Sequence, residues 1–399
     1  MSNQKKKIFI NKRLLVLAYF FILLILISIV ILQQIKINRL DYKIKAGFIY
    51  INEINDFGWT YAHEAGRIYL QNKLKNIDTI YKENVSPDNL LNIIDELIEK
   101  EKCKIIVTTS YSYYPILLNI VDKYPDIIFL SCAGLQPKKN LIPYMVDLYQ
   151  IYYLNGLIAA ALSKNDELGY IGAYKIPELI RHINAFTLGA KEINPDVRLS
   201  LYWLNSWYNP EKTSKIAQKM LDSRIEVIAY TEDSSSVAQT LQKYYENTGK
   251  KVYTFSHYSP MDKFGQDVVV SGQIVDWGLI YVDLFTRIAN GILDSKIYYW
   301  FADSNAAILG KNYSTMLKEE VIAELKKKKI DVGFEQMDLY NYILYRYNQV
   351  KDPLTSFDPF TGPIYSKNNI LRIPDRQRIN LYDLLTMDWL LPNINEVTY

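Results

Sequence analysis

Asp56 and Trp59 put a carboxylate and a large π-face on one turn of chain, a pair that suits a flat ligand carrying N–H donors. They open the stretch Asp56-Phe57-Gly58-Trp59-Thr60-Tyr61-Ala62-His63-Glu64-Ala65-Gly66-Arg67, whose helical pattern continues to about Leu74. The apolar run before it, Ala46-Gly47-Phe48-Ile49-Tyr50-Ile51, reads as a strand. Open α/β sheets hold ligands where a strand's carboxyl end turns into a helix. The helix start adds free backbone N–H groups and a positive dipole end. A structural Trp on an ordinary strand-to-helix loop is the alternative reading of the same residues.

Catalysis finds little support. The chain has no Gly-rich phosphate loop, no Gly-x-Ser-x-Gly elbow and no His-Glu-x-x-His. Asp56 and His63 lie about two helical turns apart, too far to act as an acid–base pair. His63, His182 and His257 lack metal-ligand spacing. The expectation is a binding protein, not an enzyme, with no cofactor and no metal.

The elements that position these residues alternate. Strands read at 45–51, 78–82, 104–108, 126–131 and 142–147, with helices at 58–74, 87–101 (Ser86 as cap, Pro87 first) and 114–124. A second series has strands near 168–173, 198–203, 225–230, 252–255 and 267–271, and helices near 150–163, 177–191, 210–222 and 234–246. Such alternation means parallel βαβ units with right-handed crossovers. The fold class is therefore α/β, with two doubly wound lobes. Lobe one is expected over 45–147, completed by about 277–399, and lobe two over 148–275.

The chain has 399 residues, a formal net charge of +3 and 22% charged residues. That length allows two cores, and the charge balance offers no basic face for nucleic acid. The 34 Tyr, within an aromatic content of 14%, exclude disorder as a description of the bulk.

Residues 1–13 carry Lys5, Lys6, Lys7, Lys12 and Arg13 and read as a cytoplasmic basic segment. The apolar run 14–32 that follows spans roughly 28 Å as a helix, about one hydrocarbon core. Its exit, Ile29-Val30-Ile31-Leu32-Gln33-Gln34, has no small-x-small cleavage site and no nearby Cys for lipidation. An uncleaved single-pass anchor in the cytoplasmic membrane is expected, N-terminus inside and the bulk of the chain extracytoplasmic. Cys103 and Cys132 fall at opposite ends of neighbouring strands, too far apart for a bridge, and are expected to be free and buried.

From Ile44 to about Leu391 the chain resembles the basic membrane protein family of bacteria, the substrate-binding lipoproteins of purine and nucleoside ABC transporters. The resemblance rests on Asp56-Phe57-Gly58-Trp59, Thr109-Ser110-Tyr111, Tyr153-Leu154-Asn155-Gly156-Leu157-Ile158-Ala159-Ala160 and Ile176-Pro177-Glu178. Ile183-Asn184-Ala185-Phe186-Thr187-Leu188-Gly189-Ala190, Asn194-Pro195-Asp196, Ser206-Trp207-Tyr208-Asn209-Pro210 and Phe360-Thr361-Gly362-Pro363-Ile364 follow in order. It implies a type I periplasmic-binding fold with a purine base or nucleoside held between aromatics from both lobes. Asp56 matches the base-binding acid, Trp59 the first stacking aromatic and Trp207 the second. Ser110 and Tyr111 match the loop along the base edge, and Glu232-Asp233-Ser234 the loop on the sugar side. The implied partners are ABC permease and ATPase subunits, with the binding protein a monomer.

The chain departs from that pattern. Two charged groups that hold ribose hydroxyls in nucleoside-binding members align with Tyr258 and Val275, and Asp276-Trp277 adds another acid and aromatic. Asp233, Asp276, Tyr258 and Trp277 join the candidate ligand contacts; a plain helix cap is the alternative for Asp233. The expectation is a free base in preference to a nucleoside. A membrane-tethered sensor that signals through a partner protein is the second reading.

Overall fold

A computed structural model describes residues 19–30, 43–333, 335–355 and 357–398. Its first sheet is built from β1 (Ile44–Ile49), β2 (Ile77–Lys82), β3 (Ile105–Thr108), β4 (Ile128–Cys132) and β5 (Leu141–Val146). They lie in the order β2-β1-β3-β4-β5, all parallel. β1, β3 and β5 are almost wholly buried, as expected of parallel strands covered on both faces.

The second sheet repeats that order. β6 (Glu167–Gly172), β7 (Arg198–Trp203) and β8 (Ile228–Thr231) pair as β7-β6-β8. A parallel bridge between Val227 and Tyr253 carries the sheet on to β9 (Thr254–Tyr258) and β10 (Val269–Val275). In each sheet the first strand lies between the second and third. The strand order therefore reverses beside β1 and beside β6, which leaves a crevice at the carboxyl ends.

Three segments cross between the sheets. The helix Tyr149–Leu162 leaves β5, and the helix Trp277–Ala289 leaves β10 and packs on the helix Trp59–Lys73. After it, β11 (Tyr298–Trp300) pairs with β5 while β12 (Ala307–Leu309) pairs antiparallel with β10. The helices Tyr149–Leu162 and Pro177–Ile193 press together at Gly156 and Gly189. A Cβ on Gly156 would run into the Phe186 carbonyl, and one on Gly189 into that of Tyr153. This close contact leaves no room for a side chain at either position.

Several expectations need correction. The last strand, Ile394–Val397, lies parallel to β7 in the second sheet, so the end of the chain does not complete the first lobe. β7 is otherwise an open edge, and the fully buried Ile394 seals it. The helix expected over 87–101 is broken into a 3₁₀ turn, the α-helix Leu90–Asp95 and a π turn, and Ser86 makes no side-chain cap. The expected anchor at 14–32 lies partly outside the described residues. Its residues 19–30 are helical and exposed throughout, and among the described residues no helix is long and apolar enough to cross a membrane. Cys103 and Cys132 are free and buried, as expected.

Candidate functional site

A cavity of about 100 Å³, partly open to solvent, lies where the two strand-order reversals face each other. Its first side comes from Ile51 and Trp59 after β1, Thr109 to Ser112 after β3, and Ala133 after β4. Its second side comes from Glu178 after β6, Trp207 after β7, Asp233 after β8 and Tyr258 at the end of β9. Phe57, Ala133 and Tyr258 all hold φ near +58°, a conformation that L-residues seldom adopt outside constrained sites.

Trp59 begins its helix and is fixed from several directions. Its indole N–H donates to the Thr109 carbonyl at 2.6 Å, which ties the loops after β1 and β3 together. Its ring stands edge-on to His63 at 4.6 Å and to Trp277 at 5.5 Å, and His63 and Trp277 stack at 4.1 Å. Burial holds the His63 imidazole well below its usual pKa, so the ring is neutral, with Nδ1 2.5 Å from the Tyr281 hydroxyl. Tyr258 reaches across from the second sheet and meets Trp59 edge-on at 4.7 Å. Trp207 sits against Tyr174 at 5.3 Å, and its carbonyl accepts from the Asp233 N–H at 2.8 Å.

Three candidates are not among the residues that line the cavity. Asp56 caps the helix it precedes: one oxygen accepts from the N–H groups of Gly58 and Tyr61 at 2.9 and 3.0 Å, the other from Thr60 at 2.9 Å. The orphan amides of the helix start thus engage both of its oxygens. Asp276 does the same for the next crossing helix, accepting from Gly278 at 3.0 Å. Trp277 is fully buried behind Trp59 and braces it. Val275, aligned with a ribose-binding position, is buried in β10 and does not line the cavity.

The acids that line the cavity come from the second sheet. Burial, with Asp56, Glu232 and Glu178 nearby, holds the Asp233 carboxyl far above the usual range. Burial also raises Glu178, against the pull of His182 and Arg181. Glu178 escaped the sequence reading of the site although Ile176-Pro177-Glu178 was in view. Pro177 starts a helix directly after β6, so the acid that follows sits in the first turn over the crevice. Beneath it, buried Asp147 at the end of β5 accepts from Arg181 at 2.6 Å and lies 3.1 Å from His182 Nε2. Burial alone would raise Asp147; Arg181 and His182 hold it well below the usual carboxylate range.

Two α/β sheets that close on an aromatic crevice at their carboxyl ends define a binding protein of the periplasmic-binding type. The chain belongs to the Bmp family of PnrA-like ABC transporter substrate-binding proteins, whose model matches residues 43–341. A purine-binding protein of Brucella abortus is 27% identical over 355 residues, 89% of this chain and 93% of the relative. A putative ABC transporter glucose-binding protein of Haloferax volcanii is 27% identical, over 70% of this chain and 71% of the relative. Among solved structures, an ABC transporter solute-binding protein of Aeropyrum pernix superposes with a TM-score of 0.65 at 13% identity, covering 77% of this chain and 91% of that one. A transcriptional activator of the comK gene from Bacillus halodurans gives 0.61 at 18% identity, covering 77% and 99%. These last two likenesses establish the fold alone. The family binds solutes; it is not one of enzymes.

Proposed function

We propose that the chain binds a purine base in the cavity between its two sheets and presents the closed form to a membrane permease. The observation that carries this reading is the meeting of Trp59 from the first sheet and Trp207 from the second on one cavity. Flat aromatic faces on both sides suit a planar heterocycle, and the purine-binding relative of Brucella abortus supports that ligand class. Closure follows from tighter binding to the closed form than to the open one.

A free base is favoured over its nucleoside. Ribose hydroxyls left unpaired in a closed crevice cost about 1–3 kcal/mol each, and Tyr258 and Val275 supply no charged partner for them. The nineteen-residue run at 14–32, apolar but for Ser28, holds the chain at the cytoplasmic membrane, with the binding part outside. The test is titration calorimetry of hypoxanthine, guanine, inosine, guanosine and glucose. The bases should bind at least about tenfold tighter than the nucleosides, a difference of about 1.4 kcal/mol. Equal or tighter nucleoside binding overturns the preference for a base, and binding of glucose alone overturns the purine.

A further inference from the structure

The ionisable groups of the cavity wall are acids and tyrosines alone. Glu178 and Asp233 line it, and no Lys, Arg or His is among its lining residues. Asp233 is 4% exposed, and its Oδ1 has no hydrogen-bond partner among the described residues. A buried oxygen is normally paired, so an unpaired one on a cavity wall marks a place for a ligand group. The ionisable groups that bear on Asp233 are Asp56 on the first sheet's loop, Glu232 in its own loop and Glu178, and Tyr258 beside it is neutral. The three acids favour the protonated carboxyl, as burial does.

A protonated carboxyl presents an O–H donor beside a C=O acceptor. An ionised one presents two acceptors. The first is complementary to an N–H next to a C=O, the edge of a cyclic amide; the second to two adjacent N–H groups. We propose, on the purine reading above, that Asp233 pairs through O–H and C=O with the cyclic-amide edge of an oxopurine, and that the Glu178–Asp233 wall turns phosphorylated ligands away. A phosphate entering this wall would meet like charge or buried acids with no cation to balance it.

The experiment uses the full chain in detergent micelles, titrated with hypoxanthine, with inosine and with inosine 5′-monophosphate. Three chains are compared: wild type, Asp233→Asn and Asp233→Leu. The Asn amide offers N–H and C=O in place of O–H and C=O, so its hypoxanthine affinity should stay within about threefold of wild type, under 1 kcal/mol. The Leu variant should lose on the order of thirtyfold or more, about 2 kcal/mol. The monophosphate should bind wild type at least about tenfold more weakly than inosine, which carries the same ribose, and equal binding of the two overturns the rejection of phosphate. An Asn variant that loses at least tenfold would show an ionised acceptor and overturn the proposal. It decides the matter even if the Leu variant fails to fold. Hypoxanthine binding that ignores Asp233→Leu overturns this proposal and leaves the purine reading standing. Failure of wild type to bind any purine overturns both.

Discussion

Gly58 brings its bare α-carbon against the backbone of Asp233, so that a Cβ on Gly58 would lie 2.6 Å from the Asp233 carbonyl oxygen. The two residues belong to loops from opposite sheets, and this is a point at which the crevice is shut. Nearby, the Ser259 hydroxyl donates to the Phe57 carbonyl, Phe57 meets Phe264 edge-on at 5.1 Å, and the Lys263 ammonium lies 3.7 Å from the Phe57 ring centre. Gly58→Ala should therefore obstruct closure without disturbing either sheet. The expected result is ligand affinity weakened by about tenfold or more, with a melting temperature within a few degrees of wild type. Small-angle scattering with saturating ligand should show a more extended particle for the variant. Identical scattering and affinity would show that closure does not pass through this contact.

Stacking gives the second prediction. If Trp59 and Trp207 clasp the ligand, each contributes roughly 1–3 kcal/mol, the usual worth of a base on an aromatic face. Trp59→Ala and Trp207→Ala should each weaken binding by about ten- to a hundredfold. Trp59→Ala should cost stability as well, because its indole also ties the loop after β3. Trp207 is half-buried at the rim, so its removal should leave the melting temperature almost unchanged. Unchanged affinity in both variants would place the ligand elsewhere.

Much of this arrangement was legible in the sequence, because parallel βαβ units announce themselves by alternation and ligands gather at strand ends. Trp59, Ser110, Tyr111, Trp207, Asp233 and Tyr258 all follow strands, and all line one cavity. Asp56, Asp276 and Trp277 follow strands too, yet are not among the lining residues. Composition does not reveal whether an acid before a helix serves the helix's own amides or a ligand, since both need the same residue at the same place. Nor does a strand pattern reveal which sheet a late strand joins. Ile394–Val397 is short, and its place beside β7 depends on an edge left open almost two hundred residues earlier.

Arg181 is the third test. Its guanidinium is buried with Asp147, and a second nitrogen donates to the Tyr299 hydroxyl at 2.8 Å. The cluster joins the end of β5, the helix Pro177–Ile193 and β11, so it locks a crossing segment to the helix that carries Glu178. Removing one member leaves an uncompensated buried charge, which typically costs about 3–5 kcal/mol. Arg181→Ala should lower unfolding stability by that amount in urea titration and weaken ligand binding through the displaced helix. A loss under about 1 kcal/mol would mean that solvent reaches the cluster.

The last prediction concerns stability against pH and rests on Glu232. Its oxygens accept from the Ser234 N–H at 3.0 Å and the Ser234 hydroxyl at 2.8 Å, yet burial outweighs these bonds and pushes its carboxyl up to about 8. The unfolded chain releases this proton near 4.5, while the folded chain keeps it to about 8. The folded state thus binds more protons between those values, and stability must fall as pH rises. The contribution is whole below about pH 4.5 and gone above about 8. Asp233 and Glu178, also raised, act in the same direction. Asp147, held low, contributes above the ordinary carboxylate range and loses its contribution only in stronger acid, outside this window. The melting temperature should therefore decline steadily from pH 5 to pH 8. Glu232→Gln keeps the shape and removes the proton, so its decline should be shallower, while the two chains should differ least at pH 5. Parallel curves across that range would show that Glu232 is ionised in the folded protein.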